Sequence, residues 1–274
     1  MILQIAQWGL ISLACLVSVD AWRTRRLAIF IFLILDAYLF EFILLRYYQA
    51  VAYNHLLLSV GGLPIVVIFG WAVLLYAHLR LYSAHSILVK AALIAASMTF
   101  VDLVMDVVMV RAGFWIWSQP LGYFGIPYEN LFAWLLYSFL VVLFINTAFD
   151  THGKRQLQLL GRAFVLITVL GLGFGALWGY LSLPLQNWFF WFLLAVSMLV
   201  TVWKSSVITI YKGALSLSFI PVAFFAISFV LISTLGGFSI SYILLSCLWL
   251  VLWSVPILWL WHTHLSIVNR STSA

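Results

Sequence analysis

The chain has 274 residues, of which 66% are apolar and 7% charged, with a mean hydropathy of +1.18. A soluble fold of this size needs a charged exterior that this composition does not supply, so a water-soluble enzyme is excluded and the solvent is lipid. The net charge of +6 is spread as single cations between apolar runs, which excludes a nucleic-acid-binding patch and points to membrane topology.

A helix needs about 20 apolar residues to cross a bilayer. That rule predicts an all-α, polytopic membrane bundle of about nine spans: 2–19, 27–45, 56–79, 87–110, 128–149, 163–181, 187–203, 214–234 and 240–261. The first run has no cation before it and an arginine cluster after it, the reverse of a cleaved leader, so it is expected to be retained as a helix. The break between the sixth and seventh runs rests on "SLPLQN" and that between the eighth and ninth on "GGFS", so counts of eight or seven stay open. Neither a soluble domain nor an internal repeat stands out, and residues 1–274 are expected to form a single membrane domain.

Charge follows the nine-span reading. Arg23, Arg25, Arg26, Arg80, Lys90, Lys154, Arg155, Arg162, Lys204, Lys212 and Arg270 collect on one side, against Arg46 and Arg111 on the other. The positive-inside rule then sets the N-terminus outside and the C-terminus in the cytoplasm.

The chain has seven acidic residues, so their placement carries information. Asp20 and Asp150 fall at cytoplasmic span ends, where solvation is easy. Asp36, Glu41, Asp102, Asp106 and Glu129 all map to the opposite leaflet. Asp102 and Asp106 are four residues apart and share a helical face. The plain reading pairs Glu41 with Arg46 and Asp106 with Arg111 at the interface, but it leaves Asp36 and Asp102 without a nearby cation. Intramembrane carboxyls usually face a bundle interior and act there. Carboxyl groups that share a dry pocket oppose one another's ionisation, so at least one keeps a proton to donate.

The stretch "GFWIWSQPLGYFGIPYENLFAW" (113–134) follows the aspartates and gathers Trp115, Trp117, Tyr123, Glu129, Asn130 and Trp134 with prolines and glycines. Irregular backbone near a membrane survives where it is buried in protein or lines a cavity, so a re-entrant or capping turn over the acids is expected. The remaining motifs carry less. Cys15 and Cys247 give neither a disulfide framework nor a zinc pattern. The histidines make no metal-binding boxes, and the pair His262 and His264 reads as interfacial. "GLGFGALWG" follows no strand, so it is not a nucleotide loop. Its Gly171, Gly175 and Gly179 fall on one face, as for close helix packing, with a groove for a flat, rigid ligand as the minority reading.

"FVDLVMDVVMVRAGFWIWSQPLGYFGIPYENLFAW" resembles the signature of the membrane carotenoid hydratases, which carry two acids in one helix, a G-x-W-x-W pair and a G-(I/V)-P-x-x-N turn. By position Asp102, Asp106, Trp115, Trp117, Gly125, Pro127, Asn130 and Trp134 match. Glu41 in "DAYLFEFILLRY", and Pro64 with Trp71 in "GGLPIVVIFGWAVLLYA", match further family positions, so the likeness covers about 30–150. Val107 replaces a family proline, Ala133 a glycine, and Glu129 a Ser or Thr. "PYEN" leans toward the related membrane lycopene cyclases.

The resemblance implies acid-catalysed protonation of a terminal polyene double bond, followed by capture of the cation by water (hydratase) or by a neighbouring double bond (cyclase). It implies no metal, flavin or nucleotide cofactor. The implied partners are a carotenoid, the lipid bilayer and other enzymes of the same pathway. On this reading Asp102 or Asp106 donates the proton and Glu41 tunes it or positions water. Trp115, Trp117 and Tyr123 shield the cation, Asn130 and Glu129 orient water or the acids, and Asp36 and Trp134 complete the substrate-facing set. A proton-coupled transporter or a carotenoid-binding protein is the alternative of a different class.

Overall fold

The computed structural model describes residues 2–46, 50–54, 58–84, 86–119, 122–203 and 208–210. The predicted spans 214–234 and 240–261 lie outside the described residues, as do Cys247, His55, His85, His262, His264, Lys204, Lys212 and Arg270.

Seven helices are described: α1 (Ile2–Arg23), α2 (Leu27–Arg46), α3 (Ile65–Leu81), α4 (Ile87–Arg111), α5 (Tyr128–Phe149), α6 (Gly153–Gly179) and α7 (Leu183–Trp203). Five helices among the described residues are long and apolar enough to cross a membrane: α2, α4, α5, α6 and the stretch Leu183–Val200 of α7. The break at "SLPLQN" is real. The side-chain amide of Gln186 donates to the carbonyls of Trp178 and Leu181 and closes the end of α6.

The third span differs from expectation. Helix α3 begins at Ile65 rather than near 56 and has 17 residues, about 26 Å at 1.5 Å per residue. The preceding residues form a hairpin, β2 (Ser59–Val60) with β3 (Leu63–Pro64). It turns on Gly61 and Gly62, whose φ values of +61° and +86° suit a two-residue turn matched to strand twist. A second hairpin, β6 (Gly122–Tyr123) with β7 (Ile126–Pro127), turns on Phe124 and Gly125 at φ +52° and +85° and leads into α5. In both hairpins proline is the last residue before the helix. It supplies fixed φ where no helical N–H is needed.

The two hairpins belong to a duplicated unit. Helix α2, strand β1 (Val51–Tyr53), a hairpin and α3 have the same order as α4, strand β5 (Trp115–Trp117), a hairpin and α5. Pro64 and Trp71 recur as Pro127 and Trp134 with the same spacing. The equivalent strands β1 and β5 pair antiparallel, with Ala52 opposite Ile116 at their centres. The equivalent tryptophans Trp71 and Trp134 stack on each other. Equivalent residues of the two units therefore meet at two points. No repeat is expected from the residues alone, and the one found removes the absence of a repeat as an argument against a transporter.

Strand pairing also orders the ends of the bundle. The β1–β5 ribbon sets the α2–α3 and α4–α5 connections at one end. Strand β4 (Tyr82–Ala84) pairs with β8 (Ile208–Ile210), which sets the ends of α3 and α7 together at the other. There Asp20 is buried rather than freely solvated, in an ion pair with Arg80 at 3.4 Å and accepting from Tyr76 at 3.0 Å. Helices α2 to α5 enclose the core, with α3 and α4 the most fully buried of them.

Candidate active site

Sequence spacing sets Asp102 and Asp106 one turn apart on α4, and the burial of that helix takes both from water. Asp102 is 0% and Asp106 3% exposed. Their partner comes from α5. Pro127 ends the hairpin and starts the helix, so Asn130 falls in its first turn and reaches across the seam. Its Nδ2 donates to Asp102 Oδ2 at 2.9 Å and to Asp106 Oδ2 at 2.6 Å. Asp102 Oδ1 makes no hydrogen bond among the described residues.

Glu41 completes the cluster from α2. Tyr53 Oη donates to its Oε2 at 2.7 Å and Trp71 Nε1 to its Oε1 at 2.8 Å. It stands within electrostatic reach of both aspartates. The plain pairing of Glu41 with Arg46 gives way: Arg46 donates instead to the Gly61 carbonyl at 3.1 Å. The Tyr53 phenol, on the ribbon outside the helices, is held well above its ordinary range. Burial is the main cause, followed by the charge of Glu41 and its hydrogen bond, then by Asp106 and Asp102. Tyr53 is therefore a fixed donor to Glu41.

The expected capping turn is a β-ribbon. Alternation along β5 buries Trp115 and Trp117 and exposes Ile116 at 57%. Trp115 meets Tyr53 edge-on at 6.0 Å between ring centroids, which covers the Glu41 side of the cluster. Trp134 stacks on Trp71, the donor to Glu41.

The other expected residues lie outside the Asn130 bridge, and Asp36 connects to the cluster through Tyr137, which meets Trp71 edge-on at 5.3 Å between ring centroids. Asp36, a little over one turn deeper than Glu41 on α2, faces the hydroxyl of Tyr137. Glu129 is exposed. Tyr123 is half-buried and meets Phe124 and the α7 residue Trp191 edge-on.

A cavity of about 300 Å³ lies between α2, α5 and α6 under the ribbon, and its wall includes Asp36, Trp117, Glu129, Asn130, Tyr137 and Gly175. Asp102, Asp106 and Glu41 are not in that wall. Asn130 is in it and bonds to both aspartates, so it links the acid pair to the cavity. Sequence reasoning missed Tyr53 and Tyr137. It noted Trp71 but not its bond to Glu41, although the repeated proline-to-tryptophan spacing marks that residue.

Comparison with known proteins identifies the family over the N-terminal two thirds of the chain. Residues 1–183 match the family described as carotenoid biosynthesis protein, extending beyond the 30–150 stretch in both directions. Over 132 residues the chain is 33% identical to the bisanhydrobacterioruberin hydratase of Haloarcula japonica, an alignment that spans 46% of this chain and 43% of that protein. No solved structure matches. With its match covering more than half of its length, the chain belongs to the carotenoid biosynthesis protein family.

Proposed function

We propose that the protein hydrates a terminal double bond of a carotenoid-type polyene by acid catalysis. A protonated carboxyl of the Asp102–Asp106 pair gives its proton to the less substituted alkene carbon, and the π electrons form the new C–H bond. The tertiary cation left behind takes a lone pair from water. The extra proton on that oxygen returns to the carboxylate, so the product is a tertiary alcohol, the acid is restored, and there is no net redox change. The buried pair bridged by Asn130 is the observation that carries this reading. It holds two carboxyls in a dry site, the setting in which an acid stays neutral and able to donate.

On this reading Glu41, fixed by Tyr53 and Trp71, tunes the pair electrostatically. Asn130 relays its geometry to the cavity, and Trp117 presents an electron-rich ring toward the cation. The name of the matched relative, a hydratase, supports water as the capturing group. A second reading, cyclisation through the same cation, is favoured by Glu129, a residue of the cavity wall within "PYEN". We also assign the ribbon end to the outer face, with the N-terminus outside, because the described cations gather at the opposite end.

The test is to express the chain alone in a lycopene-making host and separate the pigments. A tertiary alcohol that carries one added water supports hydration, and a cyclised isomer supports the second reading. Unchanged lycopene beside abundant membrane-inserted protein contradicts both.

A further inference from the structure

Gly171, Gly175 and Gly179 recur every fourth residue of α6 and leave one face of the helix without side chains. Such a face serves close helix packing in membranes. Here, a Cβ built at Gly171 or Gly179 meets no described atom within 4 Å, so no described helix fits against those glycines. All three instead line the cavity between α2, α5 and α6. From Gly171 to Gly179 the bare face runs about 12 Å at 1.5 Å per residue.

The opposite wall points to what the cavity takes. Asp36 is 3% exposed, lines the cavity, and its Oδ2 makes no hydrogen bond among the described residues. The hydroxyl of Tyr137, in the same wall, is the hydrogen-bonding neighbour of Asp36, whereas the indole N–H groups of Trp117 and Trp178 make no hydrogen bond among the described residues. Buried polar atoms are almost always paired. An apolar segment laid into this space leaves these groups bare. A ligand that is apolar along its length and brings a water or a hydroxyl at its end satisfies both walls. The space of about 300 Å³ suits one end of a long chain rather than an entire carotenoid.

We propose that this cavity takes the end of the polyene. The glycine face of α6 is the flat wall along which the conjugated chain lies, and Asp36 with Tyr137 holds the water or tertiary hydroxyl at that end. Asn130 in the same wall is the point at which the acid pair behind it meets the reacting double bond. This assignment rests on the polyene reading above and adds where the chain and the water sit.

The experiment uses the full chain, purified in lipid nanodiscs from lycopene-making cells, with bound lycopene measured by visible-band circular dichroism. Lycopene is achiral and shows no such band when merely dissolved in lipid. The wild type is expected to show an induced band, and Gly171→Leu to reduce it at least tenfold. Gly173→Leu, on the exposed side of the same helix, should leave it unchanged, with equal thermal unfolding in all three. Tyr137→Phe should keep the band and lower the alcohol yield at least tenfold. A wild-type-sized band in Gly171→Leu, or no band in the wild type, overturns the assignment. Product formed at the wild-type level by Gly171→Leu also overturns it and leaves the hydration reading intact. An induced band without any new product supports the cavity assignment while contradicting the hydration reading.

Discussion

Asn130 Nδ2 stands 2.6 Å from Asp106 Oδ2, the shorter arm of an amide bridge that also reaches Asp102. Two buried carboxyls from one helix thus share a donor from another. Asn130→Leu keeps the approximate volume and removes the donor. Leaving buried polar groups unsatisfied costs about 1–3 kcal/mol each. The variant is expected to unfold at a lower temperature and to make at least tenfold less product per folded molecule. Thermal unfolding in detergent and pigment chromatography check the two effects separately.

Glu41 has two donors, so losing one is survivable. Tyr53→Phe removes the bond to Oε2 and leaves Trp71 on Oε1. Hydrogen bonds to charged groups contribute about 1.5–3 kcal/mol. The loss in Tyr53→Phe should shrink when Glu41 is already Gln, because the two changes remove one interaction. A double-mutant cycle on unfolding measures that coupling, and strict additivity would show that the bond contributes nothing.

The stacked pair Trp71 and Trp134 gives unequal variants from equivalent positions. Either change to Ala opens a cavity at the seam between the repeats, at a cost of about 3–5 kcal/mol. Trp71→Ala also strips Glu41 of its indole donor, whereas Trp134→Ala does not. Stability should therefore fall in both, while product per folded molecule falls more in Trp71→Ala.

Asp20 serves as the control acid. It pairs with Arg80 and accepts from Tyr76 at the end of the bundle away from the ribbon. Asp20→Asn is expected to lower the unfolding temperature, with about 1–3 kcal/mol lost from its charge-assisted bonds. Product per folded molecule should match the wild type, since nothing at that end enters the chemistry.

Much of this arrangement was legible in the residues because acids are scarce in an apolar chain. Asp102 and Asp106 announce a shared face by their spacing, and "WIW" announces buried indoles. The hairpins were harder to see. "SVGGLP" sits at the edge of a hydrophobic run, and its turn depends on positive φ at Gly61 and Gly62, which hydropathy does not register. The repeat was hidden for a related reason: the units share proline, tryptophan and strand order, but Asn130 of one is Val67 in the other. Glycine spacing on α6 reads first as packing and second as an open wall, and only the neighbours of Gly171 and Gly179 decide it. The contacts of Tyr53 and Tyr137 depend on tertiary approach and left no local signal.

Pigment analysis of Asp102→Asn and Asp106→Asn, each expressed at the wild-type level in a lycopene-making host, tests the proton-donor assignment most directly. Either amide keeps the shape of the acid but has no carboxyl proton to give. The expected result is loss of the new pigment in at least one variant, by a hundredfold or more, with the folded protein still in the membrane. Wild-type yield from both would contradict the assignment.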